Sequence, residues 1–102
     1  MDIADWRKKI DELDQKLVEL ISERAQCALE IGRLKSHSSM PVYEPDREKI
    51  IFQNIERYNS GPLSERQLRQ IYERLIDVMR QLQRDEMAPE DDGEAMPGEL
   101  ND

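Results

Sequence analysis

The residues with chemical promise in this 102-residue chain are charges standing where a helix ought to be apolar. Trp6, Ile10, Leu13, Leu17 and Leu20 step by four and three along one helical stripe, and the next step lands on Arg24 before the stripe resumes at Cys27, Ile31 and Leu34. A cation in an apolar seam is costly unless it is paired or holds a ligand. Arg24 therefore either pairs with a neighbour such as Glu23 or Glu48 and specifies register, or grips an anion. Lys35 follows 11 residues later, about 20° further round the helix and about 16 Å along its axis. The two long side chains share a face and can close on one small anion, although a lysine in a last helical turn is also favoured by the helix dipole. Arg7 stands 17 residues before Arg24, about 25 Å away and roughly 100° around, so one copy of the helix cannot bring both to the same small ligand. It is either a solubilising surface charge or, in an antiparallel dimer, the last piece of the partner's pocket.

Glu44 and Glu48 lie four apart at the start of a second helix. Like charges at that spacing are mildly unfavourable. Either they answer the N-terminal dipole or they accept from a ligand hydroxyl. Gln83 comes seven after Ile76 and four after Met79, at the edge of an apolar face where a buried amide needs partners. Several cations, an amide and carboxylates around an apolar helical interior suit a small polyanion carrying a hydroxyl. Neither nucleophile, metal nor cofactor motif accompanies them, so catalysis there would rest on fixed electrostatics and conformational selection.

The elements that must hold these groups are helical. The first stripe predicts a helix of about 30 residues, about 45 Å long, capped by Asp5 or Asp2 and ending in a loop at Ser36-His37-Ser38-Ser39-Met40-Pro41. Pro45 opens the second helix as its first residue, with an apolar face of Ile51, Ile55 and Tyr58 flanked by Ile50 and Phe52; Asn59-Ser60-Gly61-Pro62 ends it. Ser64 and Gln67 form a capping-box pattern before a third stripe of Leu68, Ile71, Tyr72, Leu75, Met79 and Leu82. Period-two alternation is absent over any useful length, so the expected fold is all-α.

Charge divides the chain. Its net of -8 comes from the end: residues 85–102 hold eight acids and no base, and residues 1–84 hold 15 of each sign. Residues 1–84 read as the functional domain and 85–102 as a disordered acidic tail, solvating or regulatory. A balanced domain argues against a nucleic-acid surface. One cysteine, Cys27, excludes an intramolecular disulfide framework and a cysteine-based zinc site. The single His37 argues against a metal centre or a histidine-based triad, and the four scattered glycines make no phosphate loop. No apolar run approaches the roughly 18 residues of a membrane span. Met1-Asp2-Ile3-Ala4-Asp5 has neither the basic region nor the apolar core of a signal peptide, so the cytoplasm is the expected compartment. A domain of this size is roughly 25 to 30 Å across. The first helix outreaches that span, and its stripe needs a second copy of the chain.

The run RKKIDELDQKLVELISERAQCALEIGRLK (7–35), then PVYEPDRE (41–48), NSGPLS (59–64) and the late Gln83 resembles the all-α chorismate mutase family over about residues 4–84. An arginine, an ERA step 17 later, a lysine 11 beyond that and a downstream RE pair make a specific combination. The resemblance implies an intertwined helical homodimer with two pockets, each completed by the other chain, that rearranges chorismate to prephenate on the path to phenylalanine and tyrosine without a cofactor. It implies that Arg24 holds one substrate carboxylate and the partner's copy of Arg7 the other. Lys35 and Gln83 then donate to the ether oxygen, Glu48 helped by Glu44 accepts from the ring hydroxyl, and Arg47 lines the pocket and supports that carboxylate. Two residues depart from the pattern. Met79 stands where relatives often place a small hydroxylated residue, and Glu44 where aspartate is more usual. With no further domain following, the resemblance points to a free-standing mutase. The alternatives are an isochorismate pyruvate lyase sharing fold and cations, or a non-catalytic helical dimer that binds a partner or an aromatic metabolite.

Overall fold

Asp2 starts the first helix by a reciprocal cap: its carboxylate accepts from the Asp5 amide at 2.9 Å and its own amide donates to Asp5 at 3.0 Å. Both aspartates anticipated for the start thus share the task. In the computed structural model, which describes residues 1–87, this helix (α1) runs Ile3–Ser38. At 36 residues it is about 54 Å long, which accounts for the longest dimension of the molecule, 55 Å. It passes through Ser36–Ser38, where a loop was expected. The Ser38 hydroxyl donates back to the Leu34 carbonyl at 3.0 Å, which lets the serine remain helical. Ser39, in the left-handed region at φ 60°, finally turns the chain away, and its amide and that of Met40 close on the Lys35 carbonyl.

The second helix (α2) spans Pro45–Tyr58, with Pro45 at its first position. Ile51, Phe52 and Ile55 are partly covered, whereas Ile50 and Tyr58 face outward, Tyr58 at 73% exposure as the last helical residue. Asn59 organises the following turn, accepting from the Gly61 amide at 3.1 Å and donating to the Leu63 carbonyl at 2.9 Å. Gly61 there adopts φ 114°, which a side chain would resist. The expected box opens the third helix (α3, Glu65–Met87): the Ser64 amide donates to Gln67 and the Gln67 amide to the Ser64 hydroxyl. The helix continues three residues past Arg84. Of the acidic segment expected over 85–102, residues 85–87 close α3 and the rest lies outside the described residues.

Packing is serial: α3 lies along α1, and α2 lies on α3. Arg69 of α3 sits over the Phe52 ring of α2, 4.2 Å from its centroid, and pairs with Glu56. At the far end Arg33 of α1 joins Glu86 of α3. The described residues form no strand, and no helix among them is long and apolar enough to cross a membrane. The radius of gyration is 17.6 Å, against about 12 Å for a compact domain of this length. Among the described residues only Ala28, Ile76 and Met79 are buried apolar side chains, while Trp6, Ile10, Leu13, Leu17 and Leu20 on α1 are all more than half exposed.

Candidate active site

The cavity lies where the C-terminal half of α1, the last turns of α3 and the start of α2 converge, and it encloses about 220 Å³. Gly32 of α1 is buried against Gln83 of α3. A Cβ added to it would stand 3.4 Å from Gln83 Cγ and 3.5 Å from Gln83 Cα. Those are ordinary van der Waals distances, and the Gln83 side chain crosses beside Gly32 from α3 to α1. The Gln83 amide donates to the Ala28 carbonyl at 2.9 Å and accepts from Lys35 at 3.4 Å. These two partners fix which way the amide points and leave one N–H unused.

Lys35 is 5% exposed, one of two buried polar side chains in the described chain, the other being Gln83. Its ammonium donates to the Val42 carbonyl at 3.1 Å and to Gln83 at 3.4 Å, and it is ion-paired with Glu44 at 2.6 Å. The tight end of α1 makes this possible, because the turn at Ser39 brings residues 42 and 44 back over Lys35. A lysine serving only the helix dipole would remain at the surface. Glu44 sits at the N-cap of α2 but makes no side-chain cap; its carboxylate is directed to the ammonium instead.

Arg24 and Arg47 also line the cavity, and neither takes part in an ion pair among the described residues. Glu48 pairs with Arg80 at 3.3 Å and Met79 forms part of the apolar wall. Seven residues named from the sequence thus come together: Arg24, Lys35, Glu44, Arg47, Glu48, Met79 and Gln83. Arg7 does not join them. It is exposed on the N-terminal half of α1, outside the cavity. Arg80 was not anticipated: the stripe read from the sequence passes from Leu75 through Met79 to Leu82 without a gap, and it is the structure that places Arg80 beside the buried Ile76 and Met79 and in the cavity wall. Arg24, Lys35, Arg47 and Arg80 against Glu44 and Glu48 leave the cavity with two net positive charges.

A pocket of this charge, with a buried ammonium and amide side by side, can hold a small anion and stabilise negative charge that develops on it. The chain belongs to the chorismate mutase type II family, whose profile matches residues 6–84. It is 33% identical over 87 residues to a bifunctional chorismate mutase/prephenate dehydratase of Aquifex aeolicus, covering 81% of this chain and 24% of that protein. To a chorismate mutase of Methanocaldococcus jannaschii it is 40% identical over 55 residues, 54% of this chain and 56% of that one. The chain spans a quarter or less of the bifunctional relatives it matches. Among solved structures, chorismate mutase (form II) of Thermus thermophilus superposes with TM-score 0.77 at 28% identity, covering 79% of this chain and 92% of that one. A chorismate mutase of Helicobacter pylori in complex with prephenate gives TM-score 0.77 at 27% identity over 83% and 92%.

Proposed function

We propose that this chain is a cytoplasmic chorismate mutase, converting chorismate to prephenate in a pocket that a second copy of the chain completes. The observation that carries the reading is the Lys35–Gln83 pair, buried together in a cavity with two net positive charges. The reaction breaks a carbon–oxygen bond while forming a carbon–carbon bond within one molecule. It needs no base and no nucleophile, only selection of the reactive conformer and donors aimed at the oxygen on which charge develops.

In this reading the ether oxygen receives the Lys35 ammonium and the unused N–H of Gln83. The ammonium releases its longest contact, the one to Gln83, at least cost, while Glu44 and Val42 hold it in place. Arg24, which has no ion pair among the described residues, takes one carboxylate, and Arg7 of the partner subunit takes the other. Glu48 accepts from the ring hydroxyl, with Arg47 beside it; Glu44 acts mainly through the ammonium it holds. Two features of the single chain support the second copy: the uncovered α1 seam and the exclusion of Arg7 from its own cavity.

The test is to incubate the purified protein with chorismate, follow its loss and identify the product, with Lys35→Ala in parallel. Prephenate is expected from the native chain. The variant is expected to lose about 100- to 1,000-fold in kcat, the usual consequence of removing one preorganised donor to a developing oxyanion. A folded helical protein that leaves chorismate untouched would refute the reading and make isochorismate the next substrate to try.

A further inference from the structure

Arg80 is the charged group of the cavity that the foregoing assignment leaves without a task. Its guanidinium is held on three sides. Nε faces Glu48 Oε2 at 3.3 Å, Nη2 is bound by Asp77 one turn back on α3, and the Tyr43 ring lies beneath it with its centroid at 5.2 Å. Asp77 is about half exposed, whereas Glu48 and Arg80 are mostly covered, so the guanidinium is anchored from the solvent side and directed at the carboxylate inside. The contact is close but poorly aligned: Nε is shut off from solvent and has no hydrogen-bond partner of adequate geometry. A buried donor left in that condition is costly. It becomes tolerable if a modest shift of Glu48 completes the bond, and catalytic hydrogen bonds are often loose before substrate arrives.

The arrangement matters because α2 packs on α3 and not on α1. Glu48 rides on α2, whereas Lys35 and Gln83 belong to α1 and α3. Something must fix the carboxylate relative to the two donors. Arg80 crosses from α3 to Glu48 directly, and through Tyr43 it also touches the segment that leads into α2.

We infer that Arg80 is a positioning residue: it holds the Glu48 carboxylate at the place where a ligand hydroxyl is received, and it does so from the Asp77–Tyr43 cradle without touching substrate. The inference rests on the proposed role of Glu48 as the hydroxyl acceptor. A lysine cannot replace it fully, because one ammonium lacks the planar fork that reaches Glu48 and Asp77 together.

A double-mutant cycle with chorismate as substrate tests this in the full chain. Arg80→Met is expected to lower kcat/KM about tenfold in the native background and less than about twofold when Glu48→Gln is already present, the signature of two groups acting as one. Arg80→Lys should recover part of the loss. Far-ultraviolet circular dichroism and the thermal midpoint of each variant accompany the kinetics, since a merely structural residue would cost the same in both backgrounds. Equal losses in the two backgrounds, or no loss in the native one, would overturn the inference. Should the native chain not turn over chorismate, the same cycle is read in prephenate affinity by titration calorimetry. Coupling there would uphold Arg80 while the assigned reaction fell, and absence of both turnover and binding would overturn both.

Discussion

The Lys35 ammonium is hydrogen-bonded to the Val42 carbonyl and to Gln83 and ion-paired with Glu44, and under the proposed function this resting state sets how the site must work. In the proposed reaction the substrate displaces one of these contacts, and the 3.4 Å bond to Gln83 is the longest of the three. Gln83 then carries the other half of the donation, and its chemistry can be varied without changing its shape. Gln83→Glu would put an acceptor against the Ala28 carbonyl, 2.9 Å away, and against the ether oxygen, unless the acid is protonated. Activity of this variant is therefore expected to rise as pH falls and to disappear as the acid ionises, read as kcat/KM against pH beside the native profile. A variant with native rate and native pH dependence would remove Gln83 from the reacting oxygen. Arg24 and Arg80 show how far residue-level reading reaches. Arg24 breaks an apolar stripe and Arg80 does not, yet both line the cavity. Arg24 has no ion pair among the described residues, whereas Arg80 is tied to Asp77 one turn away and to Glu48, 32 residues distant in sequence.

At the level of elements, α1 has two unequal halves. The second half is anchored to α3 through Gly32 and Gln83 and carries Arg24 and Lys35. The first half carries an apolar stripe with nothing over it in the single chain. A helix in water draws little stability from propensity and most from its covered face. Leu17→Lys is expected to leave the Asp2–Asp5 cap intact while removing much of the cover from the stripe. Burying an uncompensated ammonium opposite a second copy costs several kcal/mol, so helix content and activity should fall together at micromolar concentration. Circular dichroism with analytical ultracentrifugation would detect this; a fully helical, active monomer would show that the stripe needs no partner.

At the scale of the molecule, the described residues bury only three apolar side chains, too few to offset the entropy of ordering more than 80 residues. The missing core and the missing arginine have the same proposed remedy, a second chain. That proposal has a specific consequence for mixtures. Arg7→Ala and Lys35→Ala, each nearly inactive alone, are expected to regain activity when unfolded together and refolded. A heterodimer has one pocket with both residues intact, so an equal mixture should reach about a quarter of native activity by random pairing of protomers. Failure of the mixture to exceed its components, with mixed dimers demonstrated by mass, would place each pocket within a single chain.

The helices and their ends were legible in the sequence because the forces that set them act within three or four residues. The Asp2–Asp5 and Ser64–Gln67 boxes, Pro45 at a first position and the stepping of apolar residues are all local. Local signals also misled where competition was close: the serines after Lys35 suggested a loop, but back-bonding at Ser38 keeps them helical. Two of the pocket's cations, Arg24 and Lys35, were likewise legible in their spacing, whereas Arg80 was not. What spacing could not supply was register between helices. Lys35 meets Gln83 across 48 residues of chain, and Glu48 meets Arg80 across two different helices. Those meetings depend on how closely α1 and α3 pack at Gly32 and on the turn at Ser39, and only tertiary packing decides either.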